Sequence, residues 1–156
     1  MIDGELKLTE TNAIMKYIAH KYGPQLLGGD AATVAQVEMV AGIVGDLKGA
    51  VTMPCYTTND RQSIKAIALQ KVRPIVDFLG EKKFLIGNDV TYIDFTMFEL
   101  CDLMDFITEG ELLGQYPTLK AYSDRVKGLP RVAEYYDDDE RCMKRPFNNK
   151  VAKINN

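Results

Sequence analysis

The residues able to do chemistry in this chain are few, and most sit where helices begin. Glu10-Thr11 stands just ahead of Ile14, Tyr17 and Ile18, whose i, i+3, i+4 spacing marks one face of an amphipathic helix. A helix start there presents free backbone amides and positive potential to a carboxylate; the Thr11 hydroxyl adds a donor, and Glu10 can pair with an ammonium. The same two residues also make an ordinary N-cap segment that holds no ligand. Thr91-Tyr92-Ile93-Asp94 has the spacing of a capping box, with Thr91 accepting from the Asp94 amide and Asp94 reaching back to the Thr91 amide. That pair is structural. Nothing near Cys55 in sequence would depress its pKa, so no reactivity is argued for it. His20, near a helix end, suits the dipole and receives no catalytic role. With a single histidine and no CxxC pair, a zinc site is not expected.

The elements that must position these residues follow from punctuation and periodicity. Asp3-Gly4 before the alternating Glu5-Leu6-Lys7-Leu8 predicts a two-residue hairpin turn. Only Met1-Ile2 precede it, so Glu5 to Leu8 is expected to take a partner strand from elsewhere, to fray, or to pair with another copy. The first helix should end at Gly23-Pro24 with Gly23 as a left-handed cap, leaving residues 24–30 as loop. A second helix is predicted from Asp30 as N-cap to about Met53, with Pro54 ending or kinking it. It contains Gly42, Gly45 and Gly49, each costing about 1 kcal/mol against alanine. Either another backbone approaches closely, from this domain or a second subunit, or the helix is poorly optimised. Ser63 to Leu79 reads as a third helix disturbed at Pro74 and capped by Gly80. Phe95 to about Ile107 is apolar nearly all round and reads as a central, buried helix. Two short helices, about Thr118 to Val126 and Pro130 to Tyr136, follow prolines that suit a first helical turn. Asp137 to Glu140 reads as a solvated exit, and Arg141 to Asn156 as a basic, irregular tail. The expected fold is mostly α, with one strand and about six helices.

Composition narrows the function classes. The 156 residues are 46% apolar and 26% charged, enough for one globular domain with a real core. A net charge of -3 gives no electrostatic reason to expect nucleic acid or an anionic membrane. No apolar run approaches the roughly 18 to 20 residues that span a bilayer, and the start lacks the pattern of a secretory signal. Cys55, Cys101 and Cys142 are widely spaced and odd in number, which points to a reducing compartment, the cytoplasm, rather than a disulfide framework.

Taken in order, these elements resemble a cytosolic glutathione transferase, most like the mu class. The resemblance is carried by Ile2-Asp3-Gly4 through Leu8-Thr9-Glu10-Thr11-Asn12-Ala13-Ile14 to Tyr17-Ile18-Ala19. It continues in Gly87-Asn88 through Thr91-Tyr92-Ile93-Asp94-Phe95, and in Arg145-Pro146-Phe147. It implies that residues 1–23 are the last strand and helix of a thioredoxin-like, glutathione-binding domain and 31–156 an all-helical C-terminal domain. The implied reaction conjugates glutathione, a co-substrate, to small apolar electrophiles, with no other cofactor and no metal; the implied assembly is a homodimer. By the same resemblance Glu10 and Thr11 grip the γ-glutamyl end of glutathione. Asp46 reaches the ligand of the partner subunit, and Tyr56, Phe147 and Asn149 border the electrophile pocket. The family's thiol-activating tyrosine and its cis-proline loop have no counterpart here. The sequence therefore implies an N-terminally truncated chain, inactive alone and without a catalytic residue of its own. The alternative is a non-catalytic helical module that binds apolar ligands or a protein partner through the exposed face of Ile14, Tyr17 and Ile18.

Overall fold

The computed structural model of this protein describes residues 1–138, 140, 142 and 151–155. At its front, β1 (Ile2–Asp3) and β2 (Leu6–Lys7) pair antiparallel, Ile2 opposite Lys7 and Asp3 opposite Leu6. The turn is thus Gly4-Glu5, one residue later than Asp3-Gly4, because Gly4 supplies the positive φ (59°) at the first central position. The partner of Leu6-Lys7 is the chain's own start, so the expectation of a strand from elsewhere, of fraying or of pairing with another copy is corrected. The Met1 ammonium donates to the Leu8 carbonyl at 2.8 Å and closes the open end of the hairpin. Asp3 ties the hairpin to the next helix by accepting from Lys21 and, at 2.7 Å, from the Tyr17 hydroxyl. Those two donors, Lys21 foremost, hold its carboxyl below the usual range.

Helix α1 (Thr11–Tyr22) ends at Gly23, whose φ of -160° is extended, so the predicted left-handed cap is not made there. Its amide bonds the Ala19 carbonyl at 2.8 Å, and Pro24–Leu27 forms a 3-10 turn inside the predicted loop. Helix α2 (Ala31–Thr57) starts on Asp30, whose carboxylate accepts from the Ala32 and Thr33 amides at 2.9 and 3.1 Å. It runs through Pro54 rather than ending near Met53. Proline removes only its own ladder bond, and the helix goes on for one more turn with further contacts beyond it. The Thr57 hydroxyl reaches the Met53 and Pro54 carbonyls at 3.3 Å, and the Thr58 amide reaches Pro54 at 2.9 Å.

The single helix predicted from Ser63 to Leu79 is two helices, α3 (Arg61–Lys71) and α4 (Arg73–Leu79), separated at Val72. Pro74 falls in the first turn of α4, where a missing amide costs nothing. Helix α5 (Tyr92–Thr108) is central: Met97, Cys101, Met104 and Ile107 are fully buried. They meet Val40, Val44 and Val51 of α2 and Ile64 and Ala68 of α3 in one core. A short helix not anticipated from sequence, α6 (Glu111–Gln115), leads to α7 (Pro117–Lys127) and α8 (Pro130–Asp137). Far along the chain, Ala152 and Ile154 are buried in the same core, and Lys153 donates to the Thr57 carbonyl at 3.0 Å. Among the described residues no helix is long and apolar enough to cross a membrane, and no group of side chains is placed to hold a metal ion.

The first turn of α5 is organised by a carboxylate out of solvent. The capping box is formed, and the Asp94 carboxylate accepts from the Thr91 amide at 2.7 Å and its hydroxyl at 3.0 Å. It also takes the Leu85 amide at 2.9 Å and the Tyr122 hydroxyl at 3.0 Å. Burial, then the Asp94 charge, pushes the Tyr122 phenol far above its ordinary range, so that it stays a donor. One carboxylate therefore joins the 84–87 turn, α5 and α7.

Candidate functional site

The start of α1, one flank of α2 and the first turns of α5 enclose a cleft of about 320 Å³. That is the low end of the range of small-molecule sites. Glu10 and Thr11 line its mouth with Asn12 and Met15. Ala41, Gly45 and Lys48 come from α2, and Ile93, Phe95, Thr96 and Glu99 from α5.

Glu10 has φ 65° and ψ 118°, a conformation that a non-glycine residue adopts at a cost of about 1–3 kcal/mol. Its carbonyl accepts from the Ile14 amide at 3.0 Å and so launches the helix. Its side chain caps none of the first α1 amides, and no acid lies in the first turn. The positive end of α1 is therefore not neutralised by the helix's own residues, whereas α2, α3 and α5 start on Asp30, Asp60 and the Thr91–Asp94 pair. On the far wall Lys48 and Glu99 stand 3.9 Å apart, with the Glu99 side chain 76% exposed. A pair so long and so wet contributes little, which leaves the Lys48 ammonium free to change partner.

The structure places the predicted residues unevenly. Glu10 and Thr11 share the cleft. Asp46 is exposed on α2 beside Gly45 and does not line it. Tyr56 lies ten residues further along α2, about 15 Å along the axis, 38% exposed. Phe147 and Asn149 fall outside the described residues. Thr91 and Asp94 act on the frame of the site, through α5. Cys55 is fully buried and its thiol is pushed up to about 11 by desolvation, which keeps it inert at neutral pH. A Cβ placed at Gly42, Gly45 or Gly49 would meet nothing within 4 Å, so among the described residues no backbone makes the close approach the glycines suggested.

Sequence reasoning missed the wall formed by Lys48, Thr96 and Glu99. Polar side chains on amphipathic helices read as solvated positions, and only the packing of α2 on α5 turns these three toward α1.

What these features define is a mostly helical protein with a cleft of small-molecule size where a short α/β piece meets a helical body. Comparison with known proteins makes the class specific. Residues 46–139 match the family model for the glutathione S-transferase C-terminal domain. The chain is 33% identical over 150 residues to a class-mu 26 kDa glutathione S-transferase of Fasciola hepatica, covering 94% of this chain and 66% of that one. It is 30% identical over 160 residues to glutathione S-transferase Mu 5 of Rattus norvegicus, covering 100% and 69%. The fold is shared with the glutathione S-transferase Blo t 8, at a TM-score of 0.84 and 20% identity over 99% of this chain and 73% of that one. It is also shared with a Pi-class enzyme of Onchocerca volvulus, at 0.76 and 24% over 88% and 68%. The chain belongs to the glutathione S-transferase family, and it spans about two thirds of the length of these mu-class relatives.

Proposed function

We propose that this chain supplies the helical part of a mu-like glutathione transferase. In this role the α1 start holds the γ-glutamyl end of glutathione while an apolar electrophile is bound alongside. The observation that carries the reading is the uncapped start of α1, with Glu10 held at positive φ, opening on a ligand-sized cleft. The Thr11 hydroxyl and the first amides of α1 take the γ-glutamyl carboxylate, and Glu10 takes its ammonium. Nuclear magnetic resonance titration of the full chain with glutathione tests this. Thr11→Ala is expected to weaken binding about tenfold, the loss of one hydrogen bond to a charged group. Equal affinity in the two proteins, or glutathione perturbing only residues remote from α1, would sink the assignment.

A homodimer belongs to the same proposal. Met39, Ile43 and Met53 are 51%, 42% and 65% exposed along α2, on a stripe that also carries Gly42, Asp46 and Gly49. The spacing alternates three and four, and the glycines leave room for a second helix. On such a face Asp46 would meet the partner's ligand rather than its own. Sedimentation is expected to give twice the 17.5 kDa chain mass, and Gly42→Leu, on that stripe and outside the cleft, to return it to the monomer. A wild-type protein that stays monomeric at high micromolar concentration would rule the dimer out.

A further inference from the structure

The helix whose start forms the proposed grip is thinly attached to the rest of the molecule. Ala19 is its one buried residue, and Met15 packs on the core only in part. Near the grip, a triangle of polar contacts joins it to both other walls of the cleft. Lys16 on α1 donates to Glu38 Oε2 on α2 at 2.6 Å, and the Tyr92 hydroxyl on α5 donates to Glu38 Oε1 at 3.0 Å. The Lys16 ammonium lies 5.9 Å from the centre of the Tyr92 ring and closes the triangle. Each member adjoins the lining: Lys16 follows Met15, Glu38 lies one turn before Ala41, and Tyr92 precedes Ile93.

An exposed ion pair of this kind adds little stability. What it can add is position, because Tyr92 is only 2% exposed and is itself fixed in the first turn of α5. Burial and the Glu38 charge hold the Tyr92 phenol well above its ordinary range, so the hydroxyl remains a donor throughout the neutral range.

We propose that Lys16, Glu38 and Tyr92 are positioning residues that set the placement of the α1 start against α2 and α5, and through it the affinity for glutathione. The affinity half of this rests on Glu10 and Thr11 being the grip. Tyr92→Phe keeps the buried ring and removes only the hydroxyl; Lys16→Ala removes the cation and Lys16→Arg restores it. Two readouts on the full chain separate the outcomes: hydrogen exchange of α1 and α5 without ligand, and glutathione titration. Faster exchange confined to α1 in Tyr92→Phe and Lys16→Ala is expected, with glutathione about three- to tenfold weaker and Lys16→Arg near wild type in both. Unchanged α1 exchange overturns the proposal, as does acceleration spread equally through α5, faster α1 exchange with unaltered affinity, or failure of Lys16→Arg to restore. A wild-type chain that binds no glutathione overturns the grip instead, and the network then stands or falls on exchange alone.

Discussion

Asp94→Ala is expected to lower the unfolding free energy by about 3–4 kcal/mol, a large fraction of the stability of a domain this size. The Asp94 side chain is fully buried and accepts four hydrogen bonds, from Leu85, Tyr122 and twice from Thr91. Removing it strands the Leu85 and Thr91 amides, while Tyr122 keeps the Asp94 carbonyl at 3.2 Å as a second acceptor. Each stranded donor costs about 1–3 kcal/mol, and relief from desolvating a carboxylate returns part of it. Tyr122→Phe, by contrast, removes one donor and leaves the carboxylate three others, so about 1 kcal/mol is expected. Asp94→Asn falls between them, since its amide NH₂ must face one of the donors. Urea midpoints for the three variants check the order; an Asp94→Ala protein within about 1 kcal/mol of wild type would refute the assignment of Asp94 as the frame of the site.

The second large effect is an absence of turnover. A polypeptide of these 156 residues, given glutathione and an electrophile, is expected to form conjugate within about tenfold of the uncatalysed rate. Conjugation needs a group that favours the thiolate, and loss of one such stabilising donor typically costs about 100- to 1,000-fold. The phenols of Tyr17, Tyr92, Tyr122 and Tyr136 already donate to Asp3, Glu38, Asp94 and Asp102, and none lines the cleft. Desolvation leads in raising Tyr92, Tyr122 and Tyr136, and the Asp3 bond leads at Tyr17. In the proposed role the chain would position only one end of the tripeptide, and no lowering of the thiol pKa is expected from it. Stopped-time product analysis at neutral pH checks this; turnover like that of the full-length relatives would show that these residues hold a thiol-activating group.

Much of the helical body was legible because its signals are local. The start of α5 could be read from Thr91 and Asp94 because a capping box is written in four consecutive residues, and its burial from a surface apolar nearly all round. Asp30 and Gly80 likewise mark ends at their own positions. Where tertiary contacts decide, the sequence misled. Pro54 reads as a stop or a kink, and the helix runs on past it to Thr57, where a hydroxyl and an amide bond the carbonyls of the last turn. Val72 carries no breaking signal, but the chain divides there so that Pro74 can occupy a first turn. Five-residue α6 is too short to show a period. At the site, Glu10 and Thr11 stand out because a helix start has a recognisable grammar. Lys48, Thr96 and Glu99 do not, since their common wall exists only after three distant segments meet.

The burial of Ala152 and Ile154 against α2 bears on how the molecule is made. These side chains belong to the same core as Val40 and Met104, and Lys153 latches onto the carbonyl of Thr57. They also follow every helix of the body in chain order. The helices can gather during synthesis, but that flank stays uncovered until residues 152–154 have been made. Completion of the native packing thus waits for a segment made after α8, and the interval before it is when a chaperone would find this protein.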